Sequence, residues 1–358
     1  MSRKYNFSAG PATLPLDVLE QAQAELVDFE GTGTSIMECS HRGPAYSAVH
    51  AEALANVREL LNVPEDYAIL LLQGGASGQF AMVPMNLLPS DGIADYANSG
   101  SWATKAIKEA RNVGSVNVAA DCSKEIPTRV PRIDELNLTP GAAYLHITSN
   151  ETISGAQYKA FPQCEAPLVA DMSSDILSYP LDVSQFGLIY AGAQKNLGPS
   201  GVTLVIIRKD LAERSPESIP AILRYQTHVD ADSLYNTPPC FSIYVLMLVT
   251  RWIKRMGLKA LCEQNQAKAA TLYSAIDRSA FYSGTANPED RSAMNVTFRL
   301  PSESLEATFV KEAKAEGFDG LKGHRSVGGI RASIYNAFPV EGVDALVAFM
   351  EDFERRLG

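Results

Sequence analysis

The sequence predicts an α/β protein, in which a large domain with a mainly parallel sheet flanked by helices is joined to a smaller α+β unit. Helix-like and strand-like patterns alternate from about residue 16 to 260. The strand candidates are short, continuous apolar runs, as expected of strands buried on both faces. Past Gly257 the alternation stops and a different order of elements begins. Together these features call for a doubly wound sheet over residues 16–258, with residues 1–15 and 259–358 forming the smaller domain.

In chain order, Leu16 to Phe29 reads as a helix, with apolar residues at Leu16, Leu19, Leu26 and Phe29, and Ala45 to Leu61 reads as another. Tyr67 to Leu72 is an unbroken apolar strand stopped by Gly74-Gly75, and helix-like Gly78 to Leu88 follows. Strands are predicted at Gly92 to Tyr96, Ser115 to Ala119, Ala143 to Ile147, Leu168 to Ala170, Leu188 to Tyr190 and Val202 to Ile207. The helix Trp102 to Arg111 falls among them. Thr237 followed by Pro238 reads as an N-cap and first helical residue opening the apolar helix that contains Phe241 to Val249. Leu258 to Ile276, Ser304 to Ala315 and Val343 to Arg356 are the helices of the smaller unit, with strands at Met294 to Leu300 and Gly329 to Ser333.

The chain has 358 residues and a net charge of −10, which argues against general nucleic-acid binding and against anionic membrane surfaces. Its apolar runs fall well short of the ~20 residues that cross a bilayer. Five scattered cysteines without CxxC spacing predict reduced thiols in a cytosol, not a disulfide framework or a metal site. The N-terminal residues lead into no apolar signal core, so a cytoplasmic location is expected.

Against that background a few polar residues call for explanation. Lys195 follows the apolar run Leu188 to Tyr190 and the small residues Ala191-Gly192-Ala193, 24 positions after Asp171, which ends another strand. Desolvation there would leave a neutral amine able to attack a carbonyl. A Schiff-base Lys with an Asp facing a pyridinium nitrogen is the minimum protein equipment for pyridoxal phosphate chemistry. The pair alone fits an ordinary solvated loop lysine equally well.

Five other segments bear on the same question. The turn Gln73-Gly74-Gly75-Ala76-Ser77-Gly78 can present backbone amides to a phosphate, or be a plain βα turn. It matches neither GxGxxG nor the P-loop nor GxSxG, which disfavours dinucleotides, nucleoside triphosphates and a Ser77 hydrolase. Trp102 at a helix start can stack on a flat ring or be core. Thr152 in Ser149-Asn150-Glu151-Thr152 can bond a ligand oxygen or close a turn. The doublets His41-Arg42 and His324-Arg325, with Arg331 close behind, can grip a dianion or be solvated charge.

The runs Asn6 to Ala12, Ser40 to Gly43, Ala191 to Asn196, Asn236 to Pro239 and Lys322 to Ser333 together resemble the phosphoserine aminotransferase family, in the group V branch of fold-type I pyridoxal phosphate enzymes. The resemblance spans the chain. It implies transamination between 3-phosphohydroxypyruvate with L-glutamate and O-phospho-L-serine with 2-oxoglutarate, in serine biosynthesis, and a related phosphohydroxythreonine step in vitamin B6 synthesis. It also implies a homodimer with shared sites. By the same resemblance Lys195 holds the cofactor and then moves the proton, and Asp171 keeps the ring nitrogen protonated. Trp102 stacks on the ring and Thr152 bonds its phenolate oxygen. Ala76, Ser77 and Gln194 bind the cofactor phosphate, completed by Asn236 and Thr237 of the neighbouring protomer. Arg331 clamps the substrate carboxylate, while His41 and Arg42 across the dimer, with His324 and Arg325, hold the substrate phosphate. Some family members carry Arg where this chain has Ser77 and Ser where it has Ala9, so neither side chain supplies those contacts here. A cysteine desulfurase, an alanine–glyoxylate aminotransferase, a serine hydrolase and a phosphate-binding module without catalysis are the competing readings.

Overall fold

The computed structural model describes residues 3–358. Its main sheet has seven strands in the order Tyr67–Leu72, Thr203–Arg208, Leu188–Gly192, Leu168–Asp171, Leu145–Thr148, Ile93–Asn98 and Ser115–Asp121. Six point the same way and Thr203–Arg208 alone is reversed, antiparallel to both neighbours. Successive side chains leave opposite faces of a strand. Ile69, Leu71, Ile189, Leu204 and Ile206 accordingly enter one core, with residues of the helices Pro44–Leu60 and Cys240–Met256. Leu70, Leu188, Tyr190, Val205 and Ile207 enter the other, with the helices Gly75–Leu87 and Ser101–Arg111. Burial on both faces is what makes these strands read as continuous apolar runs.

The C-terminal part packs the helices Leu258–Arg278, Glu303–Ala315 and Val340–Leu357 around a third core with the antiparallel strands Ser283–Gly284, Asn295–Arg299 and Ile330–Ser333. The N-terminal strand Tyr5–Asn6 pairs in parallel with Phe318–Asp319, and Phe7 is buried in that same core.

Some boundaries differ from the sequence reading. The first helix stops at Ala24, and Phe29 begins a separate short turn. The helix after the glycine turn starts at Gly75, three residues early, because its first turn is made of residues that carry no apolar pattern. Thr237 is not an N-cap: the helix starts at Cys240, capped by Pro239. A residue before proline is held out of the helical region, so Pro239 keeps Pro238 extended and delays the start.

Lys268 is the most deeply buried cation of the C-terminal part, 1% exposed. Its Nζ donates to the carbonyls of Ile334 (3.1 Å), Tyr335 (2.7 Å) and Phe338 (3.1 Å). These carbonyls belong to the segment following Ile330–Ser333, the strand that carries Arg331. Lys268→Met keeps the aliphatic stem and leaves three buried acceptors without this donor. We expect a loss of about 3 kcal/mol in urea unfolding; a midpoint equal to wild type would show that the carbonyls find other partners.

Candidate active site

The C-terminal ends of the parallel strands lie along one edge of the sheet, where doubly wound folds hold their ligands. A cavity of about 420 Å³ opens there. Each segment singled out at a strand end contributes to it: Ala76 and Ser77 after Tyr67–Leu72, Trp102 after Ile93–Asn98, Thr152 after Leu145–Thr148, Asp171 itself, and Gln194 with Lys195 after Leu188–Gly192. His324 and Arg331 line it from the C-terminal part.

Lys195 is half-buried, and its Nζ lies 2.6 Å from Thr152 Oγ1 and 5.7 Å from the centre of the Trp102 ring. Burial pushes its pKa down from 10.5 to about 8, against the opposing charges of Asp171 and Glu151. Asp171 pairs with Tyr190 across adjacent parallel strands. Burial raises its pKa, and the Ser173 hydroxyl and amide, both bonded to Oδ1 (2.6 and 2.9 Å), pull it back.

The glycine turn has a simple basis. Gly74 caps the helix Gly75–Leu87 at φ 94°, a left-handed conformation that glycine adopts without cost. The first amides of a helix have no partner inside it, and Ala76 and Ser77, which lie in that first turn, line the cavity. Trp102 Nε1 is buried without a partner, as is Nε of Arg331, whose Nη1 donates to Thr152 O at 3.4 Å. Burial lowers the pKa of Arg331 and of His324, whose Nδ1 meets Ser326 Oγ at 2.7 Å.

Other residues from the sequence reading lie outside the cavity. Arg42 and Arg325 are exposed, and neither they nor His41 line it. Asn236 and Thr237 do not line it either; Thr237 O accepts from Gln73 Nε2 at 3.1 Å, beside the glycine turn. Cys39 and Cys240, the thiols a desulfurase would need nearby, are also absent from the lining.

Sequence reasoning missed Ser173 and Glu151. Ser173 had a legible signal. An Asp followed two residues later by Ser closes the same Asx turn at Asp121–Ser123 and Asp182–Ser184, with the serine amide and hydroxyl on one carboxylate oxygen. Glu151 had none, since its partners lie about fifty residues away.

A lysine of lowered pKa, a buried carboxylate and the first turn of a helix meet at one edge of a doubly wound sheet, an arrangement suited to group transfer. The chain belongs to the class-V aminotransferases, whose family model matches residues 4–346, and within that class to the phosphoserine aminotransferases. It is 58% identical over 359 residues to the phosphoserine aminotransferase of Niallia circulans, covering 99% of each chain. The solved phosphoserine aminotransferase from Bacillus circulans subsp. alkalophilus superposes with a TM-score of 0.96 at 56% identity over 99% of both chains. The pyridoxal phosphate-bound enzyme from Trichomonas vaginalis superposes with a TM-score of 0.94 at 41% identity, covering 98% of this chain and 100% of that one.

Proposed function

We propose that this aminotransferase interconverts 3-phosphohydroxypyruvate plus L-glutamate with O-phospho-L-serine plus 2-oxoglutarate, using pyridoxal 5′-phosphate held on Lys195. The observation that carries the reading is the meeting of Lys195, Asp171, Thr152, Trp102, the Ala76–Ser77 amides and Arg331 in one cavity. The residues present fit the cofactor. The turn suits its phosphate, the orphaned Trp102 indole borders a slot for a flat ring, and Asp171 offers a carboxylate to a ring nitrogen. When bound, pyridoxal phosphate supplies an electron sink for the carbanion formed at the substrate Cα.

The chain's own residues do the rest. With a pKa of about 8, Lys195 Nζ is a usable base near neutral pH and takes the Cα proton, while Thr152 Oγ1 fixes its position. Asp171 holds a positive charge on the ring nitrogen by its own negative one. Gln194 joins the Ala76 and Ser77 amides at the cofactor phosphate. Arg331, desolvated and short of partners, receives the α-carboxylate as a planar fork.

His324 and Arg325 receive the substrate phosphate together with His41 and Arg42 of a second copy, and Asn236 and Thr237 of that copy complete the cofactor's phosphate site. The exposed apolar residues Leu16, Val27 and Met37 in the stretch before His41 support a homodimer with shared sites. The division into residues 16–258 and 1–15 with 259–358 is supported by the separate C-terminal core that takes in Phe7. The phosphohydroxythreonine reaction would use the same groups.

The test is a half-reaction. O-phospho-L-serine added to cofactor-loaded protein should convert the visible absorbance of the bound cofactor, with L-serine far slower, and borohydride should fix the cofactor on Lys195. Protein that takes up no pyridoxal phosphate would end the proposal. Arg42→Ala should raise KM for O-phospho-L-serine at least about tenfold, the worth of one charge-assisted contact, and change that for L-alanine little. Equal effects on both would remove the phosphate role from this doublet.

A further inference from the structure

We propose that Glu151 is a positioning residue, whose carboxylate clamps the first turn of the helix Ser101–Arg111 and so sets the Trp102 ring against the cavity. Its consequence for the cofactor rests on the pyridoxal phosphate reading above. Glu151 is fully buried, and the partners of its carboxylate are all at one place. Oε1 accepts from the Ala103 amide at 3.1 Å and from Ser99 Oγ at 3.3 Å, and Oε2 accepts from the Trp102 amide at 3.3 Å.

A helix usually satisfies these first amides from its own N-cap side chain. Here the N-cap is Gly100, which has none, and the cap arrives from a segment 51 residues along the chain. Gly100 is needed for room and not for its backbone freedom. Its φ of 165° is extended, but a Cβ there would stand 2.7 Å from Glu151 Cδ and 2.9 Å from Oε2. Burial raises the Glu151 carboxyl to about 7, with Asp171 adding to the shift and the helix amides opposing it.

Glu151 is also the chain neighbour of Thr152, whose Oγ1 fixes Lys195 and whose carbonyl accepts from Arg331. One dipeptide thus ties the helix bearing Trp102 to the amine and to the carboxylate clamp. A cap serving stability alone would act on helix melting and leave the cavity's aromatic wall unchanged.

The experiment uses Trp252→Phe protein, in which Trp102 is the remaining tryptophan, with and without Glu151→Gln. Without cofactor, the Gln variant should exchange the amide protons of residues 100–104 about tenfold faster and expose Trp102 more to acrylamide. With pyridoxal phosphate, its Kd should rise about tenfold and the quenching of Trp102 by the cofactor should shrink. Gly100→Ala, which displaces an unaltered carboxylate, should reproduce both effects, so that a folding defect of one variant does not decide the matter. If Glu151→Gln and Gly100→Ala both keep wild-type exchange and Trp102 quenching, the inference is overturned whatever the cofactor does. A wild type that binds no pyridoxal phosphate would instead overturn the functional reading, leaving the cofactor-free measurements to judge the clamp.

Discussion

Lys195→Ala is expected to lose about 10⁴-fold or more in kcat/KM for O-phospho-L-serine while keeping its fold. Among the described residues no other lysine lines the cavity. Arg331 cannot give up its proton in a protein, and His324 lines the cavity from the C-terminal part and is bonded to Ser326. The fold should survive because Lys195 Nζ has, among the described residues, a single hydrogen-bond partner, Thr152 Oγ1. The sign of its pH effect follows from the depressed pKa. Between about 8 and 10.5 the unfolded chain binds a proton that the folded, cofactor-free protein does not. Stability therefore rises with pH across that window, is lost as pH falls through it, and the Ala variant lacks that slope. Initial rates, urea unfolding at pH 7.5 and 10, and borohydride labelling check all three points. Activity within tenfold of wild type would remove Lys195 from the chemistry.

How far the sequence discloses such a site depends on where each contact's partner sits along the chain. Most strands of the main sheet were legible because burial on both faces leaves an apolar run, as in Tyr67–Leu72, whereas the mostly unburied edge strand Ser115–Asp121 shows only a mixed apolar and polar pattern. The residues at their ends were legible too, since a polar group directly after such a run has to face the edge of the sheet. What escaped was non-local. The two-residue pairing of Asn150–Glu151 with Ala156–Gln157 has no periodicity to detect. Nor does anything near Glu151 announce partners at Ser99, Trp102 and Ala103. Thr237 failed as an N-cap for the opposite reason, a local effect of Pro239 outweighing a favourable dipeptide. His41, Arg42, Asn236 and Thr237 stand apart from both cases, because the roles the resemblance implies for them require a second copy of the chain.

Asp171→Asn should lower kcat about 10³-fold and change KM for O-phospho-L-serine little. The substitution keeps the size and shape of the side chain. Oδ1 can still accept from the Ser173 amide and hydroxyl, so the strand end stays in place. What disappears is the negative charge, and an amide nitrogen is a donor where the proposed role of Asp171 requires an acceptor for a protonated ring nitrogen. Burial raises the Asp171 carboxyl, so its ionised form is costly until a cation arrives, and a bound pyridinium is such a cation. In the cofactor-free protein the Asn variant should therefore be at least as stable as wild type at neutral pH. A raised folded pKa means that stability falls as pH rises through it, and Asn removes that fall. The loss thus separates into two measurements of opposite sign, lower turnover with cofactor and undiminished stability without it. A cofactor analogue with a permanently cationic ring nitrogen should recover part of the turnover in Asp171→Asn. If it recovers none, or if KM rises in step with the loss of kcat, Asp171 is holding the substrate's position and not the ring's charge.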